Sequence, residues 1–418
     1  MAGLAEAVSE RLIYKLYADA AIDATTELVT SVAPGASGGQ SLRHVSHNLS
    51  LSKDSYRPNE KRDDVQQPMG KHGSRSVAGT INGFLSPGTH QDLFAAVMRS
   101  DWTTPVELDE TDLTSVAFDA TAKTATFGGG DPVALGMRVG RIYRFANLAT
   151  ADNNDKNFIV LGFSGGSNRV VSIFPAPTTE TADTGFTVTE AGASAINPPT
   201  KADRTEYKVA FEANNPDIDL SKLFTEAKIT GFDLSIGVNA NVGLNFSVLG
   251  RNRKVLSGSS APFFTSPAAQ TTTDIPTAMQ GLLMSGGSVL GVATSLSIKV
   301  DLGAEAAKAM NSEGLIAGIM LGDFVCSGDF TVFLQDDTFL SAFDNETELA
   351  LLAYLPSTNA ADAPANAFYL PRIKINSNSE SDTNKAKAIQ CSFEAGRYVG
   401  TAPGVESTTL QITDTQIA

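Results

Sequence analysis

One pattern occurs twice in this chain of 418 residues and restricts its possible folds more than any other feature. Val77-Ala78-Gly79-Thr80-Ile81-Asn82-Gly83-Phe84-Leu85 reads as a strand, followed by a short helix over 88–99 with the apolar stripe Leu93, Phe94, Val97 and Met98. Cys326-Ser327-Gly328-Asp329-Phe330-Thr331-Val332-Phe333-Leu334 reads the same way, followed by a short helix carrying Phe339, Leu340 and Phe343. Each is preceded by another strand, at 45–51 and 294–300, across a long connection. The closing strands also correspond, 227–236 and 242–249 matching 370–375 and 388–395. Few residues are identical, so the match is one of element order, and it points to a duplicated β module.

Composition agrees with a mainly β chain. Charged residues make up 18% and aromatic residues 7%, and 36 glycines and 18 prolines favour strands and turns over long helices. Residues 1–38 read as an N-terminal arm whose stretch 8–30 has helix-like apolar spacing (Leu12, Leu16, Ala20) and runs into the connector Pro34-Gly35-Ala36-Ser37-Gly38-Gly39. The first module is expected over 39–104 and 201–256, interrupted at 105–200 by a small inserted β domain. In that insert, 133–145, 158–162 and 170–174 are strand candidates between turns such as Asp152-Asn153-Asn154-Asp155 and Gly165-Gly166-Ser167-Asn168. A linker over 257–288 leads to the second module, 289–400, and a C-terminal tail, 401–418.

The net charge is −15, from 46 acidic and 31 basic residues, and 301–418 alone holds 16 acidic against 6 basic. General affinity for nucleic acid requires a basic face, so any relation to DNA is repulsive or indirect. No apolar run is long enough for a membrane-spanning helix. Glu6, Glu10, Arg11 and Lys15 near the start do not suit a secretion signal. Two cysteines, Cys326 and Cys391, make neither a disulfide framework nor a zinc site by themselves, which fits synthesis in a reducing cytoplasm.

Catalytic patterns fail on inspection. Ser37 and Ser164 each sit in a Gly-x-Ser-x-Gly match, but Ser37 has no strand before it and Ser164 leads into another strand, with every histidine upstream. His44 and His47, three apart on a strand, should point to opposite faces, so a shared metal is not expected; His72 and His90 stand apart. Asp152, Asn154 and Asp155 lack the glycine and terminal glutamate of a calcium loop. No phosphate-cradling loop appears, and no cofactor is expected. The polar stretch 53–74 remains, with Lys53, Arg57, Lys61, Arg62, Lys71 and the adjoining Arg75 set against Asp54, Glu60, Asp63 and Asp64. It reads either as a mobile solvated loop or as a docking arm that orders against an acidic neighbouring copy.

Taken with the motifs above, the chain resembles the tail tube (major tail) proteins of long-tailed bacteriophages, of the siphophage type with a duplicated tube domain. The resemblance rests on Arg75-Ser76-Val77-Ala78-Gly79-Thr80-Ile81-Asn82-Gly83-Phe84-Leu85-Ser86-Pro87-Gly88-Thr89, the helix through Ala95, and Ser100-Asp101-Trp102. Gly328-Asp329-Phe330 and Tyr369-Leu370-Pro371-Arg372-Ile373-Lys374 extend it over roughly 40–400, leaving the N-terminal arm and the tail without a match.

The resemblance implies a non-enzymatic virion protein. Two β-sandwich or barrel tube domains, each with a short helix, would give inner strands to a β barrel shared between subunits. With two repeats per chain, a homotrimer would close a pseudo-hexameric ring, and rings would stack into a tube. About 24 strands at roughly 4.8 Å spacing leave a bore of roughly 40 Å, wide enough for duplex DNA of about 20 Å. DNA would pass without specific binding, repelled by acidic bore residues for which Asp233, Asp301 and Asp329 are candidates. Lys53, Arg57, Lys61, Arg62, Asp63, Asp64, Lys71 and Arg75 would reach a neighbouring ring or subunit. Tape-measure, terminator and distal tail proteins are implied partners, and the insert would face outward. A β-sandwich adhesion module binding host glycan or protein is the alternative; it accounts for strands and acidity but not for the repeated element order.

Overall fold

Period-two alternation builds the centre of the molecule. Along Ala293–Asp301, Leu296, Ile298 and Val300 are buried while Ser295, Lys299 and Asp301 are exposed, as in a strand with one face on a core. The computed structural model describes residues 6, 9–18, 33–61, 63, 66, 68–279, 281–290, 293–310, 313–383 and 386–417, and it is mainly β. The first module consists of β1 (Arg11–Ala18), β2 (Ser50–Tyr56), β3 (Lys71–Phe84), α1 (Gln91–Met98), β4 (Tyr207–Asn215), β5 (Leu220–Gly237), β6 (Gly243–Gly250) and β7 (Asn252–Ser257). The second repeats that order: β8 (Leu282–Ser285), β9 (Ala293–Asp301), β10 (Val325–Phe333), α2 (Thr338–Asp344), β11 (Leu349–Pro356), β12 (Ala365–Thr383), β13 (Ala386–Ala395) and β14 (Gln411–Asp414).

Eight strands form one antiparallel ladder in the order β2–β3–β6–β5–β9–β10–β13–β12, four from each module in the same sequence. Even the irregularities recur. Val248 lies opposite Gly79 and Ile229, and Phe393 opposite Gly328 and Ile375; a register shift follows in both modules, at 230 and at 376. A second layer holds β1–β4–β5–β7 in one module and β8–β11–β12–β14 in the other, so β5 and β12 bend from one layer into the next. Where they bend, Lys228 pairs with Glu206 (3.4 Å) and, at the matching positions, Lys374 with Glu346 (2.7 Å). The adjacent pair is present with its polarity reversed, Lys208–Glu226 (3.1 Å) against Arg372–Glu348 (2.5 Å). Opposite charges across a ladder stabilise modestly, whichever strand carries which sign.

The main core fills the space between the layers. From α1, Phe94 meets Phe232 and Phe246 of the ladder (5.4 Å each) and Phe368 of the second layer (6.0 Å) in edge-on contacts. Gly328 faces this core, and a Cβ there would lie 2.1 Å from the Ser297 carbonyl oxygen and 2.6 Å from the Phe393 ring. Gly79, its counterpart, is hemmed in by Asn48 and the Leu49 backbone. Gly328→Val should therefore cost about 3 kcal/mol through overpacking, read as a lower midpoint of thermal unfolding. An unchanged midpoint would mean that β9 and β10 can separate freely.

Several expectations are corrected. Over 8–30 the described part is a strand, β1, pairing with β4 from Arg11↔Asn214 to Ala18↔Tyr207; 19–32 lies outside the described residues. Leu12 and Tyr14 face the main core while Ile13 packs on the outer side, so pairing overrides the helix-like spacing. The arm is thus the first strand of the first module. The second module likewise begins inside the expected linker, at β8, and ends inside the expected tail, at β14, whose four residues are all buried. The stretch 53–74 is largely a two-stranded extension, with Lys53 opposite Arg75 and Tyr56 opposite Lys71.

Between α1 and β4, strands from Glu107–Asp109 to Thr187–Glu190 form a separate eight-stranded sheet around Phe118, Phe127, Phe145, Phe158 and Phe186. Of the strand expected at 133–145, only Ile142–Ala146 forms; Asp131 accepts from the Val133 amide (2.9 Å) and holds the preceding segment in turns. This inserted core continues onto Met284, Leu352, Tyr354 and Tyr369, the outer face of the second module. Buried Arg141 ties Glu190 to Glu406 (3.2 Å each) across that seam. On the first module the same face is covered by the linker: Phe264 packs on Ile13, Ala210, Leu223 and Leu256. Buried Glu212 there accepts from the Phe263 and Phe264 amides (2.5 and 2.9 Å), the partners that a buried carboxylate needs.

Candidate functional site

The ladder has one face on the core, and the other is coated with small polar side chains. Asn82, Asn245 and Asp233 follow one another across β3, β6 and β5, and Ser297, Asp329 and Ser392 across β9, β10 and β13. Ser50, Thr80, Ser247, Ser235, Ser295 and Thr331 share this face by alternation. Hydroxyls and amides here bond to one another and to neighbouring backbone, so the surface is hydrophilic without being strongly charged. Asn82 donates to Ser46 (3.1 Å), and Ser392 donates to Asp329 (2.5 Å).

Asp233, Asp301 and Asp329, separated in sequence, all fall on this polar face. Asp233 lies opposite Lys299, so its charge is partly offset. Asp301, exposed, accepts from the Gly303 amide (2.8 Å). Asp329 is half-buried between Ser297 and Ser392, its amide donating to the Ser297 hydroxyl (3.1 Å). None has an acidic counterpart in the other module, where Ser379, Ser52 and Thr80 stand at the matching positions. The acidity is therefore a scatter of single carboxylates on a neutral polar lawn.

At one end of the ladder two arms project. The first, 53–75, carries Lys53, Arg57, Lys61, Asp63, Lys71 and Arg75; Arg62 and Asp64 lie outside the described residues. The second, 302–324, is equal in length, leaves the matching ladder positions and contains the hairpin Glu305–Lys308 with Ile316–Met320. Lys308 pairs with Asp54 (2.6 Å), and the Arg75 amide donates to the Gly314 carbonyl (2.7 Å), joining the turn of the second arm's hairpin to the base of the first arm. Below them the fully buried Arg251 donates to the Ile316 carbonyl (2.7 Å) and pairs with Glu226 (2.9 Å). The second arm escaped the motif search because it has no charge run; its equal spacing from a repeated strand was the available signal.

The remaining candidates stay apart from any catalytic grouping. The rings of His44 and His47 come within 5.8 Å, contrary to the expected opposite faces, because the chain bends at Val45 between them; His47 also lies 3.5 Å from Glu10. Burial pushes His90 down to about 3, its ring set against Phe94 and Phe246. Cys326 and Cys391 are buried, their thiols pushed up to about 12 and about 11 by desolvation. Among the described residues no group of three or more His, Cys, Asp or Glu is placed to hold a metal ion, and no helix is long and apolar enough to cross a membrane.

A comparison with curated proteins finds no match. A family model described as phage tail tube protein matches residues 18–405, the insert and both modules apart from β14 and nearly all of β1. With a repeated β module, a polar sheet face and paired arms beneath that match, the chain belongs to the phage tail tube protein family, a structural component of the virion.

Proposed function

We propose that three chains close into a ring by continuing the ladder from one chain to the next, and that stacked rings form the tube through which double-stranded DNA leaves a siphophage particle. The observation that carries this reading is the junction within the chain. There β5, the last ladder strand of the first module, pairs with β9, the first of the second, from Gly231↔Asp301 to Gly237↔Ser295. Among the described residues the matching edges, β12 beyond Ile373 and the outer side of β2, pair with no strand. Open polar edges of this kind are templates for another chain.

Transferring the internal register to the open edges sets Ser377 of one chain opposite Ser52 of the next, Ser379 opposite Ser50, and Thr383 opposite Ser46. Repeating the junction turns the sheet by the same step each time, and a step of one sixth of a turn would close the ring with three chains. The helices and the insert lie on the core side of the ladder, which leaves the polar face to line the bore. Tape-measure and terminator proteins would meet the same tube at its inside and its ends.

Ser379→Cys combined with Ser50→Cys tests the register. Neighbouring Cα atoms at a non-hydrogen-bonded pair lie about 4.5 Å apart, within disulfide reach. Mild oxidation should give covalent dimers and trimers on a non-reducing gel and nothing larger from a single ring. Ser379→Cys with Leu51→Cys, one residue out of step, should give none, because the two thiols face opposite sides. Equal cross-linking by both pairs, or by neither, would overturn this closure.

A further inference from the structure

We infer that the cleft between the two arms is a socket for the Asp336-Asp337 turn of a chain in the adjacent ring. This rests on the ring-and-tube reading and supplies the contact by which rings recognise one another. The cleft has a volume of about 570 Å³ and is lined by Lys53, Tyr56, His72 and Arg75 from the first arm and by Met310 and Glu313 from the second. It holds two permanent cations against one carboxylate. The buried Arg75 Nε has no hydrogen-bond acceptor among the described residues, and Met310 is 89% exposed beside it. The surplus of positive charge from Lys53 and Arg75 over Glu313 favours an incoming carboxylate.

The complementary surface is at the opposite end of the same strands. β3 and β10 run in the same direction, leaving the arms at Ser76 and Val325 and ending at Phe84 and Phe333. Asp336 and Asp337 follow three residues beyond, about 25–30 Å from the arm bases at strand rise. Asp336 accepts from the Thr338 amide (3.0 Å), and Asp337 accepts from the Ser341 hydroxyl (3.0 Å); both carboxylates keep acceptor lone pairs for an incoming donor. Neither is in an ion pair among the described residues; the nearby Lys387 is paired with Glu380 (3.4 Å). The exposed Phe333 beside the turn offers Met310 a ring to pack on. Socket and turn each occur once per chain, since Pro87 stands where the first module would carry Asp336. Head-to-tail contact between different patches propagates a filament instead of closing on itself.

A charge exchange tests this, with electron microscopy and sedimentation of purified protein as the readout. Asp336→Lys with Asp337→Lys should cut sedimenting tube at least tenfold while rings persist. Lys53→Glu, an exposed change that leaves packing alone, should cut it similarly, and Lys53→Glu with Arg75→Glu further. Joining the aspartate and the Lys53/Arg75 reversals in one chain should restore at least half of the wild-type yield. Tubes from each reversal at wild-type yield, or no recovery in the combined variant while its rings form, would overturn the socket. Wild-type protein that forms neither rings nor tubes would instead overturn the ring-and-tube reading on which it rests.

Discussion

Glu380→Pro is expected to produce a folded chain that no longer forms rings. The position follows from hydrogen-bond parity. Leu334 donates to the Lys387 carbonyl (2.9 Å), so alternate residues of β13 starting from Lys387 face β10 and those between face β12. Through the register Ser379↔Gln390 and Ser381↔Ala388, the backbone of Ser379 and Ser381 turns inward to β13, and that of Asn378 and Glu380 turns to the open edge. Proline at Glu380 removes an outward N–H and leaves the inward ladder intact, the one setting in which a strand accepts it. The Glu380–Lys387 pair is exposed and contributes at most about 1 kcal/mol. Thermal unfolding should therefore move by only a few degrees, while the sedimentation coefficient should fall to that of a single chain. Rings from the proline variant would mean that subunits join elsewhere.

On the proposed ring-and-tube reading, exchanging Asp233, Asp301 and Asp329 for lysine should give a tube that holds DNA. Each substitution changes the local charge by two, and around a closed ring the new cations would face the duplex from every side. At physiological salt, charges act over about 8 Å, so in a bore of the proposed width these carboxylates would act mainly on DNA that strays toward the wall. Lysines at the same places could reach phosphates and release counterions, with binding that weakens steeply from about 50 to 200 mM salt. Variant tubes should retain short duplexes in a pull-down at low salt and release them at high salt, and a phage carrying them should eject its genome more slowly. The Asp→Asn variants separate charge from shape and should stay close to wild type, because a surface of serine, threonine and asparagine already offers DNA little to grip. Ejection at the normal rate from lysine-lined particles would remove any role for bore charge.

Part of this architecture was legible from residues alone. The strand–helix stretches aligned at Val77 and Cys326 occupy identical ladder positions, because one-sided burial keeps the alternation visible. The three aspartates were named only as candidates implied by the resemblance, and alternation alone did not settle which face they take. The first and last strands of each module were not legible. In β1, Leu12, Ile13 and Tyr14 are all buried, with packing on both sides, so period two disappears. In β14, Gln411, Thr413 and Asp414 are buried between Ala193–Ile196 and β12, with Thr413 bonded to Ser194 and Asp414 to the Gly88 amide, partners no local pattern announces. The arms were read as loops because a hairpin exposed on both faces carries no apolar stripe. What fixes them is the spacing from a duplicated strand, together with side-to-side links such as Lys308–Asp54 that connect distant parts of the chain.

The linker clasped by Glu212 has one more consequence. It travels along the outside of the first module and then beneath the β5–β6 turn, where the Val242 amide donates to the Pro276 carbonyl (3.1 Å). The covalent tether between the two modules thus runs over the outer layer of the first module, which is the exterior wall in the proposed ring. In the proposed ring, fused pairs of this kind would leave half as many separate pieces to bring together, with the described part of the tether kept off the polar face.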